Sequence, residues 1–450
     1  KNLGRRPAKN VAYVGKWPLE QAAWVGNAGA GNGKPLSNGE DFFGTGASPA
    51  RTINTGEVIF VGYGSAAELT TDITGKVIML IGEEKPGPEA EQGNGRRRRM
   101  SPARMALLQN IESKNPALIL SVSPMMGGAR RMGGFGGGRL TIKSDKPVKP
   151  MVTFTISTNV ADQILKASGK TYADLKKEID GGTTQTQIVK AAIATSFGSE
   201  VKDVKAVDIV SYIPGSDPKL KNEVLVFSAH YDHIGLTTSG ADKVNNGADD
   251  DGSGSVGILE IARAFMQAKK DGHGPRRTIL FLANVGEEKG LLGSEYYTDH
   301  PVFPMANTIT DLNIDMIGRV GYDYLKSPDS ANYVYPIGSS MLSTTLHKIM
   351  DDANNTYTHL KLDYTYDDPN DPNRFYYRSD HYNFAKHNVP IIFFFNGVHD
   401  DYHKPGDEVS KINFPLLAKR AQLVFFTGWD LANRDERPAV DVKTPAPNSR

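Results

Sequence analysis

The 450-residue chain contains no cysteine. That removes disulfides, thiolate metal sites and cysteine nucleophiles together, and leaves His, Asp and Glu as the side chains able to hold a metal. No run approaches the ~18 consecutive apolar residues of a transmembrane helix. Net charge is missing too: 52 Lys+Arg against 51 Asp+Glu give a formal +1, which argues against whole-protein attraction to nucleic acid or to acidic membranes. What the chain does have is length beyond one ordinary domain and 39% hydrophobic residues, enough for real cores. Two domains are expected. The chain opens on Lys1 rather than methionine, which reads as a processed product, so a secreted or periplasmic location is expected.

The most informative stretch is Leu225 to Gly257, where an apolar run ends in His230-Tyr231-Asp232 and three aspartates, Asp249 to Asp251, follow in a glycine-rich turn. Val224 to Ala229 reads as a short buried strand and Val256 to Met266 as a helix, so His230 and the aspartates fall at a strand's carboxyl end and a helix's start. Ligands of open α/β sheets gather there. Gly252, Gly254 and Gly257 spell GxGxxG, but three carboxylates stand where a dinucleotide would put its pyrophosphate, and no strand leads directly in. Asp249, Asp251, Ser253, Gly254 and Glu260 partly fit a calcium loop, yet Glu260 lies inside the apolar-periodic stretch.

Taken in order, residues 1–54 read as an extended lead-in in which only Pro18 to Val25 hints at a helix. Short β-like runs follow at Val58–Val61, Lys76–Ile81, Ala117–Leu120 and Met151–Ile156, marking a small mixed domain over 55–190. Inside it, 93–139 is basic and glycine-rich (Arg96 to Arg99, Met125-Met126, Arg130-Arg131) and reads as a mobile excursion. With no aromatics interleaved, its arginines make a poor nucleic-acid site. Alternating residues over 187–213 lead into a second domain, 191–435, with buried strands at Thr278–Val285, Thr310–Met316 and Pro390–Asn396 and a helix opening at Leu291–Tyr297. Residues 436–450 are Pro-rich and polar, a flexible tail. Strands alternating with helices predict an α/β fold: a mixed, mostly parallel sheet with helices on both faces, beside a smaller β-rich domain.

The ends of four strands thus carry His230, the pair Glu287-Glu288, Asp315 and a loop containing His403. Singly, each has an ordinary reading as a hydrogen-bonded His, a solvated pair or a helix cap; together they favour one site. Asp232, Asp250, Glu287, Glu288 and Asp315 converging without cations would repel and be forced to protonate. Divalent ions relieve this, and imidazole and oxygen ligands without thiolate suit zinc, with cobalt or manganese as substitutes.

The segments HYDHIG, NNGADDDGSG, VGEEKGLLGS, NIDMIG, SDHYNF and YHKPGD, in this order over roughly 195–430, resemble the M28 family of zinc metallopeptidases, chiefly aminopeptidases with two co-catalytic zinc ions. The resemblance implies two Zn²⁺ per chain and peptide substrates. His230 and Asp315 would hold one zinc, Glu288 and His403 the other, and Asp250 would bridge them. It further implies Glu287 as general base, Asp232 as the residue orienting His230, Tyr402 as donor to the developing oxyanion, and a non-proline cis peptide after the bridging aspartate. His381, in the same pattern, is expected beside the site and not as a ligand, and His399, without a trailing aspartate such as Asp407, is the lesser competitor of His403. The smaller domain, with GEVIFVGYG (56–64) and ITGKV (73–77), is similar to the protease-associated domain found in this family. A carboxypeptidase, a single-zinc glutaminyl cyclase and a metal-free binding protein share parts of this pattern and remain open alternatives.

Overall fold

The computed structural model describes residues 13–30, 35–36, 41–45, 51–85, 102–124, 139–142, 153–183, 186–237 and 240–443. It divides into two compact units. Of the described residues, one holds 13–18 and 205–443 and the other 19–204. The strand Gln187–Ile213 spans the division, an alternating run that gives no local sign of a break.

In the larger unit the strands stand in the order Lys361–Leu362, Tyr333–Ile337, Ile391–Phe395, Thr308–Ile314, Val224–His230, Thr278–Asn284, and then residues 209–213. The inner four are parallel. They read as unbroken apolar runs because both sheet faces are covered: all seven residues of Val224–His230 are buried. One face packs on the helices Gly252–Lys270 and Phe414–Asn433 through Ile258, Phe265, Leu423 and Val424. Phe227 lies between Phe265 and Phe281, its ring stacked on the latter at 5.5 Å. The other face packs on Leu292–Asp299 and His381–Lys386 through Tyr297, Phe384 and Phe393. The next two strands in sequence, Thr278–Asn284 and Thr308–Ile314, lie on opposite sides of Val224–His230. The order in which strands are added therefore reverses beside His230, where an open α/β sheet leaves a crevice at its carboxyl edge. Among the described residues no helix is long and apolar enough to cross a membrane.

The loops at that edge are tied from below. Arg420, fully buried on the helix Phe414–Asn433, donates from Nε to Tyr333 O and from Nη1 to Ile317 O and Arg319 O, each at 2.8 Å. Residues 436–443, expected in a flexible tail, are engaged instead: Asp441 accepts hydrogen bonds from the backbone N–H and hydroxyl of Thr344 at the start of the helix Thr344–Ala353.

The smaller unit pairs residues 187–197 antiparallel with Arg51–Phe60, which continues into parallel Val77–Ile81, Leu118–Val122 and Thr153–Ile156, with Phe42–Thr45 antiparallel at the edge. Val58, Phe60, Met79 and Leu120 join Ile164, Leu165 and Leu175, from two helices (Thr158–Leu165 and Tyr172–Asp180), in its core. Two expectations are corrected here. Pro18 to Val25 is not helical but part of the strand Tyr13–Ala30, because residues 19–22 find partners in the distant strand Arg139–Ile142. The supposed excursion contains a helix, Pro102–Ser113, with Ile111 fully buried and Arg104 donating to Tyr63 O and Ile81 O. Its four arginines and its methionine-glycine stretch lie outside the described residues.

Asp311 stands in mid-strand with no exposed surface. Oδ1 accepts from Ser228 Oγ at 2.8 Å, while Oδ2 has no hydrogen-bond partner among the described residues. Burial raises its pKa well above the ordinary value, opposed by Ser228 and aided by Asp380. The folded chain therefore keeps a proton that the unfolded chain releases, and stability falls as pH rises from about 4 toward the folded pKa. Asp311→Asn should remove this burden, stabilising the protein by roughly 1–3 kcal/mol at pH 8 and not at pH 4. Thermal unfolding of both variants at the two pH values checks it; equal gains at both would show that the titration of Asp311 is not the cause.

Candidate metal centre

His230 ends the strand Val224–His230 directly opposite Asn284, the last residue of Thr278–Asn284. That register brings Glu287 and Glu288, which follow in a short 3-10 turn, to the same edge. Asp315 follows the strand Thr308–Ile314 on the other side. Asp250 arrives from the turn before the helix Gly252–Lys270. The Asp250–Asp251 peptide bond is cis, as the family resemblance implies. Asp251 caps that helix, with Oδ1 accepting from Gly254 N at 2.9 Å and from Met316 N at 3.1 Å, and Oδ2 from His230 N at 3.2 Å. So close an approach needs glycine: a Cβ at Gly254 would stand 2.4 Å from the Asp251 carboxylate.

The Asp250 carboxylate points two ways. Oδ1 is 3.2 Å from His230 Nε2 and Oδ2 is 3.2 Å from His403 Nε2. Asp315 Oδ1 lies 3.7 Å from His230 Nε2, and Glu288 Oε2 3.2 Å from His403 Nε2. A tetrahedral zinc with bonds near 2.0–2.1 Å holds its ligand atoms about 3.3 Å apart, so both groupings have the right spread. The structure thus brings together the five residues that the resemblance names as ligands. The buried atoms His230 Nε2, His233 Nδ1, Asp250 Oδ2 and Glu288 Oε1 have no hydrogen-bond partner among the described residues. Orphaned donors and acceptors are costly unless something else satisfies them, and a divalent cation fits this donor set.

The electrostatics agree. Burial works against the charged form of His403, but the Asp250 and Glu288 carboxylates outweigh it and raise the imidazole to about 9. Burial also raises the Glu287 carboxyl well above its ordinary range, with His230 opposing and Asp315, Asp380 and Glu288 adding repulsion. Glu288 is pulled the other way: burial raises it, but His233 and His403 outweigh that and leave it low. Adjacent glutamates are thus held in opposite senses.

Asp232 differs from expectation. His230 Nδ1 meets the main-chain carbonyl of Asp232 at 2.9 Å, and the carboxylate is 3.8 Å away. That carboxylate instead accepts from Glu287 N at 3.2 Å, so it anchors the turn carrying the two glutamates while the backbone orients the imidazole. Tyr402 is stacked on His403 with ring centres 3.9 Å apart, and its hydroxyl accepts from Arg378 Nη2 at 3.4 Å. His381 joins neither ligand grouping: its Nε2 meets Tyr376 O at 2.8 Å, its ring stacks on Phe393, and burial depresses it to about 3.

Two features escaped the sequence. The loop bearing His403 is clasped to the Asp250 turn twice. Asp407 Oδ2 accepts from Asp249 N and Asp250 N at 3.0 and 3.1 Å, and His399 Nε2 meets Asp249 Oδ2 at 3.1 Å. His399 is therefore a buried partner of Asp249. The other feature is His233, whose Nδ1 is 2.7 Å from Glu288 Oε1. The signal for it was a second histidine inside HYDHIG.

Comparison with known proteins places these observations among relatives. Residues 208–427 match the profile of peptidase family M28. The chain is 30% identical to leupeptin-inactivating enzyme 1 of Streptomyces exfoliatus over 281 residues, 58% of this chain and 54% of that protein. It is 26% identical to leucine aminopeptidase 2 of Trichophyton rubrum over 238 residues, covering 46% and 41% respectively. The chain spans about half the length of these curated relatives. In fold it is similar to the aminopeptidase of Aneurinibacillus sp. strain AM-1, with a TM-score of 0.54 at 18% identity over 96% of this chain and 86% of that one.

Proposed function

We propose, from the premise that the chain belongs to peptidase family M28 through residues 208–427, that it is a zinc-dependent aminopeptidase binding two ions per chain. One observation carries the reading: the Asp250 carboxylate gives one oxygen to the His230–Asp315 side and the other to the His403–Glu288 side. His230 and Asp315 would hold one ion, His403 and Glu288 the other, and Asp250 would bridge. Zinc bound there polarises a scissile carbonyl and lowers the pKa of water.

The remaining chemistry belongs to the chain. Glu287 Oε2 lies 3.9 Å from His230 Nε2, on a turn fixed by Asp232, and is the atom that takes a proton from the attacking water and returns it to the leaving amine. Tyr402 Oη donates to the developing oxyanion, steadied by Arg378. An amino-terminal polarity is supported by the relatives named leucine aminopeptidase.

The test compares a leucyl anilide bearing a free amino group with its N-acetylated form. Cleavage of the free form, with the blocked form slower by on the order of 10²-fold or more, is the expected result. Preferential release of carboxyl-terminal residues from blocked peptides would make the enzyme a carboxypeptidase, and cyclisation of amino-terminal glutamine without hydrolysis a cyclase.

A further inference from the structure

We propose that His233 is a fourth protein ligand at the second metal position, beside His403, Glu288 and the bridging Asp250. The inference rests on the two-ion reading above. Nδ1 of His233 is 2.7 Å from Glu288 Oε1 and 3.9 Å from Asp250 Oδ2. His403 Nε2 is 3.2 Å from both Asp250 Oδ2 and Glu288 Oε2. Those separations straddle the ~3.3 Å expected between ligand atoms of one tetrahedral zinc. His233, Asp250 and Glu288 present ligand atoms all within 4.8 Å of one another. The His233 and His403 rings lie 5.7 Å apart, and two imidazoles sharing a zinc at about 2 Å have their centres about 5–6 Å apart.

A plain hydrogen bond from His233 to Glu288 is the competing explanation, and the geometry disfavours it. Despite the short distance, neither His233 Nδ1 nor Glu288 Oε1 is aligned for a hydrogen bond. The side chain is 9% exposed, and beyond its contact with Glu288 neither ring nitrogen has a hydrogen-bond partner among the described residues. The backbone is also shaped around it. Gly247, at φ +62°, lies where a Cβ would come within 2.6 Å of His233 Cγ and 2.4 Å of Asp250 O, so only glycine lets the ring and the Asp250 turn close on the same point.

The two positions then differ in kind. His230, Asp315 and Asp250 would leave one place open at the first, whereas His233, His403, Glu288 and Asp250 would surround the second. With one more protein ligand, an ion at the second position would be the tighter bound and the first to load.

Zinc titration of the metal-free protein against a chromophoric chelator, with X-ray absorption on protein carrying one equivalent, tests this. Wild type should bind two ions, the tighter with two imidazoles. His233→Ala and His233→Asn should weaken that ion by more than the 10- to 100-fold typical of an outer hydrogen-bonding partner, leaving one imidazole. Two variants guard against a folding defect, which the unfolding curve of the metal-free proteins reports. Unchanged affinity, or a weaker ion with the imidazole count unaltered, overturns the proposal and leaves the two-ion reading standing. Wild type binding no zinc overturns both.

Discussion

Glu287→Gln is expected to lower kcat by roughly 10²- to 10⁴-fold while bound zinc and the unfolding curve stay nearly unchanged. Glu287 reaches the site but not the ligand groupings: its Oε2 is 3.9 Å from His230 Nε2, and its backbone N–H is held by Asp232. Gln fills the same volume on the same anchored turn and differs in being unable to carry the proton. Glu288→Gln makes the contrast. Glu288 oxygens lie 3.2 Å from His403 and 2.7 Å from His233, so its replacement should empty the second position as well as slow turnover. Zinc content and kcat, measured side by side on a free-amino substrate, separate the roles. If Glu287→Gln loses zinc and Glu288→Gln keeps both ions, the assignments are exchanged; full activity in Glu287→Gln ends the general-base proposal.

Asp250→Asn should do more damage than either, costing both ions and about 10³-fold or more in kcat, since several kcal/mol of metal-derived stabilisation disappears at about 1.4 kcal/mol per tenfold. Each Asp250 oxygen faces a different histidine, so no rotamer of a neutral amide can serve both sides with charge. The fold should survive, because the turn is held through backbone groups by Asp407 and through the neighbouring carboxylates of Asp249 and Asp251. Zinc per chain after dialysis is the measurement. Retention of two equivalents in Asp250→Asn would mean that the carboxylate does not bridge.

His230, Glu287, Glu288 and Asp315 were legible because each follows closely on an apolar run, and the ends of parallel strands meet along one edge whatever the strand order; Asp250 and His403, on a turn and a loop, came from the family resemblance. Glu287 and Glu288 could be placed together, and their opposite environments could not, since those depend on His233 and His403 arriving from other loops. Asp232 was read as orienting His230; the group that meets the imidazole is its main-chain carbonyl, while its carboxylate holds Glu287 N, a division that depends on the fold of the turn. The smaller unit was less legible for a similar reason. Pro18 to Val25 has a helix-compatible composition, and only the pairing of residues 19–22 with the strand Arg139–Ile142 makes it extended. Arg104 and Ile111 went unnoticed inside a charged stretch because their burial is set by carbonyls and side chains far along the chain.

The buried Arg420 has a consequence in time. Its guanidinium closes on Ile317 O across 103 residues of chain, so during synthesis the segment just after Asp315 waits for its tether on the order of ten seconds. His403 and its clasp to the aspartate turn are likewise made late. A nascent chain therefore carries strands and carboxylates well before the proposed metal centre is complete.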